Sequence, residues 1–271
     1  MVIAIIGVAI MFFGVYKGIS IPPKKQSTPA MHNEENHFDI QNEITAALKK
    51  LHPGTQEEVK NLAKVADEIS DPIQKSGALE RLAQKWIELK YPVIGAYYMS
   101  ESGFLDNTEK KLNFASHLLN EGLHEEQDQE KRQWMAQTAI KCLEKVLEKN
   151  PDHVEAKMEL ANVYINGLGQ PMQGVQQLLS IVEKDPKNLP ANMVLTRMAL
   201  ESNQVDKALE RGNNILKYYP KNWEVRILLA EAYNRTGDKQ NAIKVLEEAK
   251  KLNKNQDFIK DVDQYLNLIN Q

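Results

Sequence analysis

Residues 189–222 read LPANMVLTRMALESNQVDKALERGNNILKYYPKN, and the next thirty-four residues, 223–256, read WEVRILLAEAYNRTGDKQNAIKVLEEAKKLNKNQ. Laid side by side, the two stretches carry apolar or small residues at the same positions. The matched pairs are Leu195 with Leu229, Thr196 with Ala230, Ala199 with Tyr233, Ala208 with Ala242 and Ile215 with Ala249. A self-similar period of this length indicates supersecondary units that stack along the chain.

Three prolines mark the same period. Pro151, Pro186 and Pro220 lie in the similar stretches EKNPDHVEA, EKDPKNLPA and KYYPKNWEV, at separations of 35 and 34 residues. Proline cannot continue a helix, and it disfavours helical backbone in the residue before it. Each proline is therefore expected to end the second helix of one repeat and to begin the turn into the next.

The pattern resembles the tetratricopeptide repeat family. That family has a large apolar residue at position 7 of each repeat, small residues at positions 8, 20 and 27, a bulky residue at position 11 and proline at position 32. The resemblance implies an all-α fold, a right-handed superhelical α-solenoid of antiparallel helix pairs. One pair alone cannot bury its apolar stripe, so neighbouring pairs stack to bury it.

Five repeats are predicted between residues 76 and 256. They span 76–109, 110–153, 154–188, 189–222 and 223–256, and the second contains an insertion of about twelve residues around EEQDQEKRQW. A helix pair is expected at 38–71, with a second helix that starts at a capping box of Thr55 and Glu58. A capping helix is expected at 257–271, with an apolar stripe of Phe258, Val262, Tyr265 and Leu266.

The N-terminal segment differs from the rest in composition. Residues 1–16 carry no charge, and residues 1–22 are long enough to form a single transmembrane helix if Lys17 reaches the interface. A cleaved signal peptide is the alternative, although no basic residue precedes the apolar run. Residues 23–37 are polar and contain proline, which predicts a flexible linker.

The membrane side of the body is a separate question. Lys17, Lys24 and Lys25 follow the span, and the positive-inside rule would keep them cytoplasmic. The rule weakens for long folded segments, and bacterial proteins of this layout usually place the body outside the cytoplasm. The expected location is therefore the bacterial inner membrane, single-pass, with a periplasmic body.

The sequence offers little for catalysis, and an enzyme is not expected. No nucleophile, phosphate-loop or dinucleotide motif is present, and a net charge of −3 gives no general case for nucleic acid. His117, Glu121 and His124 share one helical face and could hold a metal, but a solvated acidic surface is the alternative. No catalytic, cofactor-binding or metal residue is assigned, and the single cysteine, Cys142, is expected to be a buried apolar residue.

In the family that the chain resembles, the first helix of each repeat lines a concave groove that binds a protein or peptide. The resemblance assigns to this groove Leu112, Ser116, Leu119, Met158, Asn162, Ile165, Met193, Arg197, Leu200, Ile227, Glu231 and Asn234. Partial core burial is the alternative for the apolar members. Asn162 matches the asparagine of the chaperone-tail clamp, but methionine stands where the clamp needs lysine, so that assignment is not supported.

The function implied by the resemblance is a membrane-anchored scaffold or adaptor that binds a protein or peptide partner. The alternative is a periplasmic chaperone-like factor that binds client segments at a translocation or envelope-assembly machine. The sequence identifies neither the partner nor the oligomeric state.

If residues 1–22 form the anchor, the full chain should remain in the membrane pellet after a carbonate or high-salt wash, because a spanning helix is not released by charge screening. A chain without residues 1–37 should be soluble and helical by circular dichroism. Recovery of a mature protein that begins after Ala30 would instead demonstrate a cleaved signal peptide.

Overall fold

The computed structural model describes residues 38–270, and within this range the chain forms thirteen α-helices and no strand. The all-helical prediction is thus confirmed for the described range. The predicted anchor, 1–22, and the predicted linker, 23–37, lie outside it. Among the helices of residues 38–270, none combines the length and the apolar character that a membrane span requires.

Contacts divide the described residues into two units, an N-terminal unit of residues 38–177 and a C-terminal unit of residues 178–270. The N-terminal unit contains α1 (Ile40–Lys50), α2 (Pro53–Glu68), α3 (Pro72–Glu88), α4 (Pro92–Asp106), α5 (Glu109–Leu123), α6 (Gln129–Lys149), α7 (Val154–Asn162) and a π-helical turn (Val163–Gly167). The next helix, α8 (Pro171–Lys184), crosses the division between the units. The C-terminal unit then contains α9 (Leu189–Glu201), α10 (Val205–Tyr218), α11 (Trp223–Arg235), α12 (Lys239–Leu252) and α13 (Gln256–Asn270).

The prolines of the repeat pattern stand two residues before a helix cap. Asn188 and Asn222 follow Pro186 and Pro220, and their side-chain oxygens accept hydrogen bonds from backbone N–H groups of the first turns of α9 and α11, at 3.0 and 2.8 Å. Such a bond satisfies one of the N–H groups that a helix start leaves without a partner. The repeated proline and asparagine thus end one helix and cap the start of the next.

The start of α2 corrects the capping-box prediction. The helix begins at Pro53, two residues before Thr55, and the Nδ1 atom of His52 accepts a hydrogen bond from the Gly54 N–H at 3.4 Å. Proline is well placed at the first helical position because that position needs no N–H donor. Thr55 and Glu58 therefore lie inside the helix.

Four helix pairs turn at a residue in left-handed conformation. Lys90, Gly169, Asn203 and Gly237 have φ of 67°, 62°, 57° and 78°, and the last three are each 34 residues apart. Glycine and asparagine adopt positive φ more readily than other residues. The turn between the two helices of a pair is thus a second periodic feature, and Lys90 adopts the conformation without the usual residue type.

Small residues allow the close helix contacts of the C-terminal unit. Ala230 and Ala242, predicted to lie where helices meet, are fully buried. The apolar stripe predicted for the last helix is buried at Phe258, Val262 and Leu266, and Tyr265 is half-buried against the same cluster. Helix α13 thereby covers the apolar surface that α12 would otherwise expose, as terminal elements of a repeat array must.

A buried polar network joins three helices of the N-terminal unit. Lys111 Nζ donates to Ser76 Oγ, Ser102 Oγ and Asp106 Oδ2 at 2.9, 3.0 and 2.7 Å, and Ser76 Oγ donates to Asp106 Oδ2 at 2.6 Å. Burial alone would raise the pKa of Asp106, but hydrogen bonds from Lys111, Ser76 and Thr108 outweigh it and lower the pKa to about 2. A buried pair keeps its charges only when its remaining polar atoms are satisfied, as they are here.

The lowered pKa gives a pH-dependent stability. Because the folded pKa of Asp106 lies below its ordinary value of 3.8, its carboxylate stabilises the fold above about pH 4 and ceases to do so as the pH falls toward 2. Asp106→Asn should lower the free energy of unfolding by roughly 1–2 kcal/mol at neutral pH and by much less near pH 2, measured by urea denaturation. The same change at exposed Asp67 serves as the control. An equal loss at both pH values would show that the Asp106 carboxylate contributes only through shape.

Candidate functional site

Three of the predicted groove residues lie in the core of the N-terminal unit. Leu112, Ser116 and Leu119 on α5 are 1%, 0% and 0% exposed, whereas Phe114 on the same helix is 41% exposed. The face of α5 that packs inward is therefore displaced by one residue from the predicted register. These three residues contribute packing and offer no surface to a partner.

The displaced register brings other residues of α5 toward α7. One residue further along from the predicted positions stand Asn113, His117 and Asn120. The side chain of Asn120 contacts Asn162, and the ring of His117 lies 3.8 Å from a carboxylate oxygen of Glu159. The surface between α5 and α7 is consequently more polar than the sequence register suggested.

Three side-chain amides form a continuous row on this surface. Asn166 Nδ2 donates to Asn162 Oδ1, and Asn162 Nδ2 donates to Asn120 Oδ1 at 3.1 Å. Each amide offers both a donor and an acceptor, as a peptide bond does. We call Asn120, Asn162 and Asn166 the amide row. Asn162 was predicted to line the groove, and its two partners were not.

Glu159 stands next to the amide row, on the same helix as Asn162. Its side chain is 19% exposed, and its Oε1 atom accepts no hydrogen bond from the described residues. Burial raises the pKa of Glu159 to about 7, although the nearby His117 favours the carboxylate. A buried acceptor without a donor costs free energy, and a ligand that supplies a donor would recover it.

The π-helical turn directly continues α7. The first helix of this repeat, with the turn, runs from 154 to 167, one residue longer than α9 or α11. The extra residue that makes the Pro151–Pro186 spacing 35 is accommodated here, since a π turn holds one residue more than an α turn. Asn166 lies within the turn, so the bulge places the last member of the amide row.

Arg132 holds the carbonyl groups at the ends of two helices. Its guanidinium donates to Leu123 O at 2.8 Å, Asn166 O at 2.5 Å and Gly167 O at 3.4 Å. Helix ends leave carbonyl groups without an intrahelical partner, and a planar cation satisfies several at once. Arg132 therefore fixes the turn that carries Asn166.

Arg132 belongs to the predicted insertion, whose last residues form the first turns of α6. Lys131 Nζ lies 2.8 Å from Glu43 Oε1, and the Trp134 ring lies 5.2 Å from the Phe38 ring. Both contacts tie α6 to the beginning of the N-terminal helix. The insertion therefore packs against α1 and supports the site between α5 and α7.

The remaining predicted groove residues have mixed surroundings. In the N-terminal unit, Met158, Asn162 and Ile165 are half-buried. In the C-terminal unit, Leu200 is buried, and Met193 and Ile227 are half-buried against the core of α11 to α13. The last three are Arg197 and Glu231, which are half-buried, and Asn234, which is exposed. Core burial thus accounts for part of the apolar track, and partner binding at the other positions stays a prediction.

A charge network lies on α9 and α11, which are the first helices of the two repeats in the C-terminal unit. Arg235 forms an ion pair with Glu231 and donates to Leu200 O at 2.5 Å. Burial raises the pKa of Glu201, an effect that Arg197 opposes and Glu231 reinforces. Burial also raises the pKa of Tyr265 to about 12, with a further contribution from Glu231. These groups place both charge signs and a hydroxyl in one area.

Three of the polar residues that sequence reasoning missed share one repeat position. Counted from the start of each predicted repeat, Asn166, Glu201 and Arg235 are the thirteenth residues, directly after Ile165, Leu200 and Asn234. A polar residue occurs there in three successive copies, which is a signal that the sequence contains. The family pattern directs attention to the twelfth position instead.

The residues considered for metal binding and for thiol chemistry lie in the N-terminal unit. His117 Nε2 lies 3.5 Å from Glu121 Oε1, but within residues 38–270 no three side chains of the metal-binding types are grouped to hold an ion. Cys142 is fully buried, and burial raises the pKa of its thiol to about 12, which keeps it protonated and unreactive.

The comparison with protein families identifies the repeat in the C-terminal part of the chain. The tetratricopeptide repeat model matches residues 199–260. The fold of the described chain is of the tetratricopeptide type. No curated protein sequence matches the chain.

Solved structures show the same fold at low identity. YrrB, described as a TPR protein with an unusual peptide-binding site, is 14% identical with a TM-score of 0.51, covering 73% of this chain and 94% of YrrB. A MamA protein is 14% identical with a TM-score of 0.53, covering 65% and 91%. MamA from Desulfovibrio magneticus RS-1 is 18% identical with a TM-score of 0.52, covering 67% and 97%.

The raised pKa of Glu159 makes a testable statement about stability. Because its folded pKa of about 7 lies above the ordinary value of 4.5, the Glu159 carboxylate destabilises the fold increasingly as the pH rises through this window. Glu159→Gln stays neutral, so it should raise the free energy of unfolding by about 1–3 kcal/mol at pH 8 and leave it nearly unchanged at pH 4.5.

Denaturation at the two pH values would measure the difference, with Glu125→Gln on the surface as the matched control. A gain that is the same at both pH values would contradict the raised pKa.

Proposed function

We propose that this protein is a non-catalytic scaffold that holds a protein or peptide partner on the inner helices of its tetratricopeptide repeats. Tetratricopeptide repeat proteins mediate protein–protein interaction. The peptide-binding site named for YrrB belongs to that protein, and it supports the same class of ligand for this chain. Fold likeness alone names no partner, so the proposal is carried by the site.

The observation that carries the proposal is the amide row beside Glu159. An extended peptide presents alternating N–H and C=O groups, and side-chain amides can meet either one. Glu159 Oε1 adds an acceptor that has no donor in the described chain. A peptide backbone N–H supplied there would satisfy it, and the half-buried side chain of Met158 offers a flexible apolar surface next to it.

The proposed location is the bacterial inner membrane, with residues 1–22 as the anchor and the body in the periplasm. The support is the uncharged N-terminal run and the polar linker that follows it. An anchor would hold the scaffold at the membrane. This raises the effective concentration of the scaffold for a membrane-bound partner. A chaperone-like role for client segments is the narrower version of the same binding function.

The amide row gives the direct test. Asn162→Ala removes the central amide and both hydrogen bonds of the row, so it should weaken partner binding about tenfold, the equivalent of one to two hydrogen bonds. The partner would first be captured by crosslinking in membranes and identified by mass spectrometry. Its affinity for purified wild-type and variant chains would then be measured by isothermal titration calorimetry.

The matched control is Asn42→Ala, at an exposed position of α1, and this variant should bind the partner like the wild type. Circular dichroism would establish that both variants fold. If Asn162→Ala folds and binds as tightly as the control, the partner does not contact the amide row and the proposal fails.

A further inference from the structure

A positively charged groove in the C-terminal unit lies outside the site of the proposed function. It has a volume of about 510 Å³ and lies along α10, the second helix of its pair, against the end of α8 and the start of α9. Its lining is Val182, Pro186, Asn192, Lys207, Glu210, Arg211, Asn214, Lys217 and Tyr218. We call this surface the basic groove. None of the twelve predicted partner-binding residues lines it.

Three cations of the groove share one face of α10. Lys207, Arg211 and Lys217 follow one another at helical spacings, with Asn214 between the last two. Residues three and four apart on a helix are neighbours on its surface. The groove therefore presents a line of positive charge.

These cations have no carboxylate partner within residues 178–270. Lys207 Nζ donates to Gln204 Oε1 at 2.7 Å, and Lys217 Nζ donates to Asn214 Oδ1 at 2.8 Å, so both ammonium groups meet neutral amides. No ion pair joins Arg211 to any residue of this range. By contrast, Arg226 pairs with Glu248 at 3.0 Å and Lys250 pairs with Asp263 at 2.5 Å in the same unit. The basic groove is thus a place where positive charge is left uncompensated.

The wall opposite the cations is apolar and aromatic. Val182 and Pro186 line it, and the Tyr218 ring is 47% exposed. The ammonium group of Lys187 lies 5.3 Å from the centroid of that ring, which adds a fourth positive charge at the edge. A ligand that fits must offer negative charge on one side and an apolar group on the other.

We propose that the basic groove binds an acidic segment of a partner protein, with carboxylates on Lys207 and Arg211 and an apolar side chain against Val182, Pro186 and Tyr218. Charge complementarity of this kind raises the rate of association and selects among partners. The site lies on the second helix of a repeat, so it can be occupied independently of the inner-face residues on α9 and α11.

Two features favour an acidic peptide over a polyphosphate backbone. Glu210 stands among the cations of the lining, and its carboxylate would repel a dense row of phosphates. The whole chain has a net charge of −3, which disfavours long polyanions that extend beyond the groove. An acidic peptide reduces both costs, because it is short and can place an apolar residue, instead of a negative charge, opposite Glu210.

The test uses a fluorescein-labelled peptide of alternating glutamate and leucine with the full chain in detergent micelles. Fluorescence anisotropy should show binding that weakens with added salt, since exposed charges are screened. The double variant Lys207→Glu, Arg211→Glu should weaken binding at least about tenfold, because two attractions become repulsions. The milder Lys207→Gln, Arg211→Gln should give an intermediate loss.

The matched control is Lys244→Glu, Lys254→Glu, which changes the net charge equally at exposed positions outside the groove. It should bind the peptide within about twofold of the wild type, because distant exposed charges are screened. Equal losses in the two charge-reversal variants, or no binding by the wild type, would overturn the proposal. Displacement of the peptide by single-stranded DNA or by phosphatidylglycerol micelles at lower concentration than by unlabelled peptide would assign the groove to nucleic acid or lipid instead. Asn162→Ala should leave peptide binding unchanged, so the outcome is separable from that of the inner face.

Discussion

The contact between the two helices of a pair is possible only where a side chain is almost absent. A Cβ atom at Gly95 would lie 2.9 Å from the carbonyl oxygen of Ala83, and one at Gly174 would lie 2.8 Å from that of Ala161. Each contact joins the second helix to the backbone of the first, at the same repeat position. Backbone this close leaves no room for a methyl group at these two glycines, and the small residues Ala208 and Ala242 stand at the corresponding position of the later repeats. The turns, caps and apolar stripes serve to bring this contact about.

This constraint explains which parts of the fold the sequence reveals. Small residues at the helix contacts, such as Ala230 and Ala242, recur with the period, so the pair and its register in the C-terminal repeats can be predicted. In the repeat with the insertion the period is interrupted, and α5 contains two overlapping amphipathic patterns. One would bury Phe114, and the other buries Leu112, Ser116 and Leu119, as the structure does. Local pattern cannot decide between faces one residue apart, because the choice depends on which neighbouring helix covers them.

The candidate site is harder to predict because it depends on contacts between distant residues. The amide row requires α5 and α7 to meet in the displaced register, and it requires the π turn to carry Asn166. That turn is held by Arg132, from a segment that sequence alone could describe only as an insertion. Asn162 could be found from its repeat position, whereas Asn120 becomes part of the row only through packing. The long-range hydrogen bonds that build the row leave no periodic signal.

The thirteenth position shows why function can vary on this fold. Asn166, Glu201 and Arg235 occupy it in successive repeats, with a neutral amide, an acid and a base in turn. Asn166 is half-buried, and Glu201 and Arg235 are exposed, so this position can carry polar groups of different charge. At Glu201, burial raises the pKa of the carboxyl group, and the Arg197 guanidinium opposes that rise. The repeat thus separates two kinds of position, with glycine and alanine where the helices touch and charged or amide groups at the thirteenth position, where the side chains are half-buried or exposed.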